Sequence, residues 1–288
     1  MSKSIAIVIN NHAKNAGNAE AYLTGFTERG VDYHLYKVDS ADLENTLKRC
    51  VDEYDMILAG GGDGTVRSAA HWCAHNHIIL GILPLGTLNH FAKELMLPTT
   101  LTELIAAIKH KTTTTIDLAE VNGKIFVNNS SLGFYPKLAR KRDYYSRFYN
   151  KWLSYIPSFF ETFRNHETYS LSVKSAELDF KLRTSFFMIS NNLYSYQFPL
   201  TIARENFNAK RLGLYFFKHG RLRLMKIIRS LFNRKKNFEI LETTMPVSVS
   251  ITNHSKIAIS LDGDTFDTET PLHYTIHPDA LILLTNKP

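Results

Sequence analysis

Hydrophobic and polar positions alternate along this chain in two regimes. Up to about residue 118, short apolar runs are followed by stretches whose apolar residues recur at helical spacing. The runs predict strands over residues 4–10, 32–38, 56–59 and 78–83. The helical stretches predict helices over 17–29, 41–52, 65–75, 89–95 and 101–109, with Gly30 ending the first and Pro98 separating the last two. Alternating strands and helices with short connections imply a parallel sheet covered on both faces. After Thr112 the pattern changes. Residues 112–115, 118–121, 170–173, 182–190, 247–252, 257–261 and 280–284 read as short strands. The expected organisation is an α/β domain over 1–118, then a mainly antiparallel β-sandwich over 119–288, interrupted by helical excursions.

The candidate chemistry lies where two of these strands end. Met56-Ile57-Leu58 runs into Ala59-Gly60-Gly61-Gly62-Asp63-Gly64-Thr65, and a helix follows. Glycines reach backbone conformations closed to other residues. Amides bared in such a turn, together with a helix N-terminus, form a cradle for phosphate. Thr65 is placed to cap the helix through its side-chain oxygen. Asp63 sits beside the expected phosphates, where an acid makes sense if a metal ion bridges the two. The run lacks the GxxxxGK[ST] spacing of a P-loop and is not GxGxxG. A second strand, 78–83, enters a similar turn at Pro84-Leu85-Gly86-Thr87-Leu88-Asn89-His90-Phe91-Ala92. Two such turns at strand carboxyl ends define a ligand crevice.

The combination of GGDGT with PLGTLNHFAKELMLP resembles the catalytic domain of the diacylglycerol kinase family, which includes sphingosine kinases and bacterial lipid kinases. Ile116-Asp117-Leu118, Phe126-Val127-Asn128-Asn129 and Leu132-Gly133-Phe134 are similar to that family's entry into its second domain. Leu261-Asp262-Gly263-Asp264 is similar to its DGE motif. The resemblance implies a first domain like that of NAD kinases and phosphofructokinases. It implies transfer of a phosphoryl group from ATP, with Mg²⁺, to a lipid hydroxyl such as that of diacylglycerol. Gly61, Gly62, Asp63, Gly64 and Thr65 would hold the nucleotide phosphates and help place the metal. Gly86, Thr87 and Asn89 would complete the nucleotide side, and Asn10 would lie near the adenosine. Asp117 would join a water-and-carboxylate network around the metal. Asp264 would be the general base.

Three positions depart from the family pattern. His90 stands where the second motif has an acid, and an imidazole does not replace a hard oxygen ligand of Mg²⁺. Asp264 is one methylene shorter than the family's glutamate, which matters for a base that must reach its proton. Residues 208–215 have lost the acids of a structural metal site found in many bacterial members and have gained Lys210 and Arg211. These departures keep open a non-catalytic relative that binds nucleotide or membrane. The shared GGDG turn keeps open a soluble-substrate kinase of the NAD kinase kind.

Composition narrows the setting. The 288 residues suit two domains, and 44% hydrophobic residues suffice for ordinary cores. No apolar run approaches the roughly 20 residues of a membrane span. Cys50 and Cys73, the only cysteines, are widely spaced, which fits a reducing, cytoplasmic compartment. A net charge of +7 suits an anionic partner, and no nucleic-acid-reading motif is present. Residues 144–163 are aromatic on one helical side, behind Lys137, Arg140, Lys141 and Arg142. They suit either core packing or an acyl-chain wall. Residues 218–236 project as a basic amphipathic helix, suited to water on its charged side or to an anionic membrane surface. The expected partner is therefore a lipid substrate met by peripheral association with a membrane. A homodimer is compatible with the sequence.

Overall fold

The computed structural model describes residues 5–87, 89–133, 168–197, 201–204, 206–217 and 238–286. The aromatic stretch 144–163, the cations before it and the basic stretch 218–236 lie outside the described residues. The chain forms two compact units. One comprises Met1–Leu118, Tyr196–Asn208 and His277–Pro288; the other comprises Ala119–Ser195 and Ala209–Ile276. A single division after residue 118 was expected. The chain instead returns twice to the first unit, through Tyr196–Asn208 and His277–Pro288.

The first unit begins with β1 (Ile5–Asn10), α1 (Ala19–Glu28), β2 (Tyr33–Val38) and α2 (Leu43–Glu53). It continues with β3 (Met56–Gly61), α3 (Asp63–Asn76), β4 (Ile79–Pro84), α4 (His90–Glu94) and α5 (Leu101–His110). The strands lie in the order β2-β1-β3-β4, all parallel. The apolar residues of β1, β3 and β4 are mostly buried, as a covered parallel sheet requires, whereas the edge strand β2 leaves Leu35 exposed. Ile7, Ile9, Leu58 and Leu83 pack with Leu23 and Phe26 of α1 and with Leu104 and Ile108 of α5. On α2 and α3, Leu47, Cys50, Val66, Ala70 and Cys73 are buried. Both cysteines are free thiols. Burial, then the Glu53 charge, pushes the Cys50 thiol up to about 11, and burial raises Cys73 as well.

Helix α5 carries a capping box, which explains its start. Thr100 Oγ1 accepts from Glu103 N at 3.3 Å, and Glu103 Oε2 accepts from Thr100 N at 3.1 Å. The backbone amides of Thr100 and Thr99 hold the Glu103 carboxyl below its usual range. Thr100→Ala is expected to cost about 1 kcal/mol, read as a shift of the urea midpoint.

The second unit is built from β5 (Thr113–Val121), which enters from the first, and β6 (Lys124–Phe126), β7 (Asn129–Gly133), β8 (Tyr169–Lys174) and β9 (Asp179–Thr184). Then follow β10 (Phe186–Asn191), β11 (Tyr194–Gln197), along which the chain passes to the first unit, β12 (Thr201–Arg204), which belongs to the first unit, and β13 (Leu212–Phe217), back in the second. Last are β14 (Phe238–Thr243), β15 (Val247–Ile251), β16 (Lys256–Leu261), β17 (Asp264–Glu269) and β18 (Leu272–Leu284). One sheet has the order β14-β13-β10-β7-β16-β17, and its printed pairings are antiparallel. Strands β15, β8 and β9 build a second layer on the first half of β18. The two layers enclose one core. Phe126, Val173, Val249 and Tyr274 come from one side; Leu132, Phe187, Leu214 and Ile259 come from the other. The unit is therefore an antiparallel sandwich. The second half of β18 returns to the first unit, where Leu283 pairs with Leu80 of β4 in parallel.

One strand expectation is corrected here. Residues 182–190 read as a single strand, yet the chain changes sheets at buried Ser185. The Thr184 hydroxyl bonds both the N–H and the carbonyl of Phe186, replacing ladder hydrogen bonds at the break.

Candidate active site

In the order β2-β1-β3-β4, the connections leave β1 on one side and β3 on the other. The carboxyl ends of β1 and β3 are thus a topological switch point, where ligands of such sheets bind. An open cavity of about 480 Å³ lies there. Its walls include Asn10 from the end of β1, Gly62, Gly64 and Thr65 from the first turn, and Gly86 and Thr87 from the second. His12, Lys14, Ser40 and Arg67 also line it.

Helix α3 begins at Asp63 with Gly62 as its N-cap, and no side chain caps it. The expectation that Thr65 caps the helix is corrected. Thr65 lies inside the first turn, is buried, and its Oγ1 accepts from Asn10 Nδ2 at 3.2 Å. The N–H groups of Asp63, Gly64 and Thr65 have no acceptor among the described residues. Gly64 and Thr65 line the cavity, so the positive end of a fourteen-residue helix meets it there; Asp63 stands beside them and is not among the lining residues. Lys14 and Arg67 add cations to the same wall. Sequence reasoning missed both, although Arg67 lies one helical turn after Asp63 and was open to a helical projection.

The glycines serve a different purpose from the one expected. None of Gly60, Gly61, Gly62, Gly64 or Gly86 has positive φ. Gly60, Gly61 and Gly86 are needed for space. A Cβ on Gly61 would strike the Thr65 side chain, and a Cβ on Gly86 would lie 2.6 Å from Gly62 Cα. The two turns touch through bare backbone.

Asn89 holds the second turn from within. It adopts φ 49°, a left-handed conformation that asparagine tolerates. Its Oδ1 accepts from Gly86 N at 2.9 Å, and its Nδ2 donates to Pro84 O at 3.1 Å. Asn15 Nδ2 donates to Gly86 O at 2.8 Å, pinning the loop after β1 to the same turn. Asn89 thus shapes the turn, whereas Thr87 is exposed on the cavity wall.

Asp63 is half-buried, and its Oδ1 accepts from Phe91 N, the second residue of α4, at 3.3 Å. One carboxylate with spare lone pairs fits Mg²⁺, which commonly takes one or two protein carboxylates and completes its shell with phosphates and water. His90 is exposed at the start of α4. Asp117 is fully buried, and its Oδ1 accepts from Asp279 N at 2.9 Å. Such a carboxylate fits an indirect place around a metal better than direct ligation. Among the described residues, no group of three His, Cys, Asp or Glu side chains is poised around a metal position.

In the second unit, Asp262 and Gly263 form the two-residue turn between β16 and β17, with φ 51° and 95°. This is the Asp-Gly hairpin signal, legible in the sequence and overlooked there. Asp264 begins β17 with an exposed side chain. The preceding acid has a structural role that its motif does not disclose. Asp262 accepts from Val127 N at 2.9 Å, Asn128 N at 2.8 Å and Asn129 N at 3.1 Å. Asp262→Ala is expected to cost on the order of 3 kcal/mol by stripping three amides of a charged acceptor. Asp262→Asn, which keeps one acceptor and tolerates the turn, should lose less in the same denaturation experiment.

Residues 4–121 match the diacylglycerol kinase catalytic domain. Both glycine turns and Asp117 lie within the matched residues. The chain is 37% identical over 134 residues to "Probable lipid kinase YegS-like" of Pseudomonas aeruginosa, covering 44% of each chain. It is 36% identical over 94 residues to "Diacylglycerol kinase" of Staphylococcus haemolyticus, covering 32% of this chain and 28% of that one. These matches thus span less than half the length of either curated relative. A diacylglycerol kinase crystal structure from Bacillus anthracis shares the fold, with a TM-score of 0.69 at 15% identity over 99% of this chain and 97% of that one.

Proposed function

We propose that this protein is a lipid kinase that transfers the γ-phosphoryl group of ATP to a lipid hydroxyl with the help of Mg²⁺. The observation that carries the reading is the set of open first-turn amides on α3 at a cavity also lined by Lys14 and Arg67. The kinase-family match and the names of the relatives support the acceptor class.

The chemistry asks for position and charge neutralisation. The α3 amides, Lys14 and Arg67 hold the phosphate oxygens. Asn10 fixes Thr65 and meets Ser40, on the wall left for the nucleoside. Asp63 is the protein ligand suited to Mg²⁺, which when bound would offset charge on the phosphates. The lipid hydroxyl oxygen forms the new bond to the γ-phosphorus, the bond to the β-phosphate oxygen breaks, and ADP leaves. Asp264 takes the hydroxyl proton; its hairpin leaves the carboxylate exposed. Diacylglycerol is the first acceptor to offer, and peripheral contact with a membrane is the setting such a substrate requires. No helix among the described residues is long and apolar enough to cross a membrane.

The test is incubation with γ-labelled ATP and Mg²⁺, with a total lipid extract in one arm and NAD in the other. Label in a lipid product supports the reading. Label in NAD would replace it with a soluble-substrate kinase. Nucleotide binding with no transfer to either would indicate a non-catalytic relative.

A further inference from the structure

We infer that Arg204 and Glu94 are positioning residues for the Asp63 carboxylate. The inference rests on the nucleotide reading of the glycine turns and extends it to two residues outside the cavity.

Asp63 is held by Phe91 N–H, so its direction follows that of α4. A five-residue helix has little cohesion of its own, and something else must fix it. Phe91 is buried, and Glu94, the last residue of the helix, is gripped from outside. Arg204 Nε donates to Glu94 Oε1 at 2.9 Å, and Arg204 Nη2 donates to Glu94 Oε2 at 2.9 Å. The Arg204 side chain is 1% exposed and that of Glu94 is 20% exposed. A two-pronged ion pair of this kind fixes the orientation of both partners.

The same segment reaches the other acid of the site. The Arg204 guanidinium lies 4.8 Å from the centre of the Phe207 ring, and the Phe207 carbonyl accepts from Asp117 N at 2.9 Å. Arg204 and Phe207 thus reach both places in the first unit where the sequence set a metal-linked carboxylate. Stability alone is a weak reason to bury such a pair. Desolvation roughly cancels its attraction, and apolar replacements are often as stable. Fixed geometry at α4 is what the pair supplies.

Arg204→Lys keeps the charge and loses the fork; Glu94→Gln keeps the shape and one acceptor. For the wild type and both variants, ATP affinity is measured by titration calorimetry with Mg²⁺ and again with EDTA, beside a thermal melt that confirms folding. Misdirecting Asp63 should weaken Mg²⁺-dependent binding at least about tenfold and leave metal-free binding within about twofold. Equal weakening in both conditions, or unchanged Mg²⁺-dependent binding in two folded variants, would overturn the inference. A wild type that binds no ATP in either condition would remove the nucleotide reading itself, and the inference with it.

Discussion

Asp63→Ala and Asp264→Ala are each expected to lower phosphoryl transfer by at least about 10³-fold while the protein stays folded. The two losses should differ in kind. Asp63→Ala removes the one carboxylate at the glycine turn and releases Phe91 N–H, so Mg²⁺-dependent nucleotide affinity should fall with turnover. Asp264 lies in the other unit, exposed at the start of β17, and a base acts only on the proton in flight. Asp264→Ala should therefore keep nucleotide affinity and lose turnover. Single-turnover transfer from labelled ATP, with calorimetry and circular dichroism on the same samples, separates the two. Full transfer by either variant would remove that residue from the mechanism.

Gly86→Ala is the second large effect expected, and it arises from sterics. The added methyl would lie 2.6 Å from Gly62 Cα, 2.6 Å from Asn89 Oδ1 and 3.3 Å from Gly61 O. Two of those neighbours are backbone and cannot rotate away. The third is the oxygen that binds Gly86 N. Relief requires the two turns to part, which spoils both phosphate-facing loops together. ATP affinity should fall at least about a hundredfold, read by calorimetry. A neighbouring control, Gly17→Ala, meets nothing within 4 Å and should bind as the wild type does. Near-normal affinity in Gly86→Ala would show that the turns do not act as one cradle.

The parts of this fold that could be read in advance are those written in contiguous residues. The βα alternation, the glycine turns and the apolar strands after Thr112 are local patterns, and the structure places elements close to where they predict. What escaped depends on residues far apart in sequence. Glycine at 86 is required by the backbone at Gly62, which lies far away in sequence, so the glycine run looked like a demand for unusual torsions. Asp262 clamps amides at 127–129, more than 130 positions earlier. Its short motif drew attention to Asp264 and away from this bond. Arg204 sits in a stretch with no distinguishing pattern until Glu94 is beside it. Lys14 and Arg67 look like ordinary surface cations until the ends of β1 and β3 bring them to one cavity. The break at Ser185 is hidden because both flanking segments contain β-formers, Phe180 and Thr184 before it and Phe186, Phe187 and Ile189 after it.

The central claim is that the open amides of the first α3 turn hold the triphosphate. Its most direct test is an amide NMR spectrum of isotopically labelled protein, recorded before and after adding Mg²⁺ and a non-hydrolysable ATP analogue. The account predicts large shifts at Asp63, Gly64 and Thr65, with smaller ones at Gly62, Gly86 and Thr87. Saturable nucleotide binding that leaves those amides unmoved would contradict it.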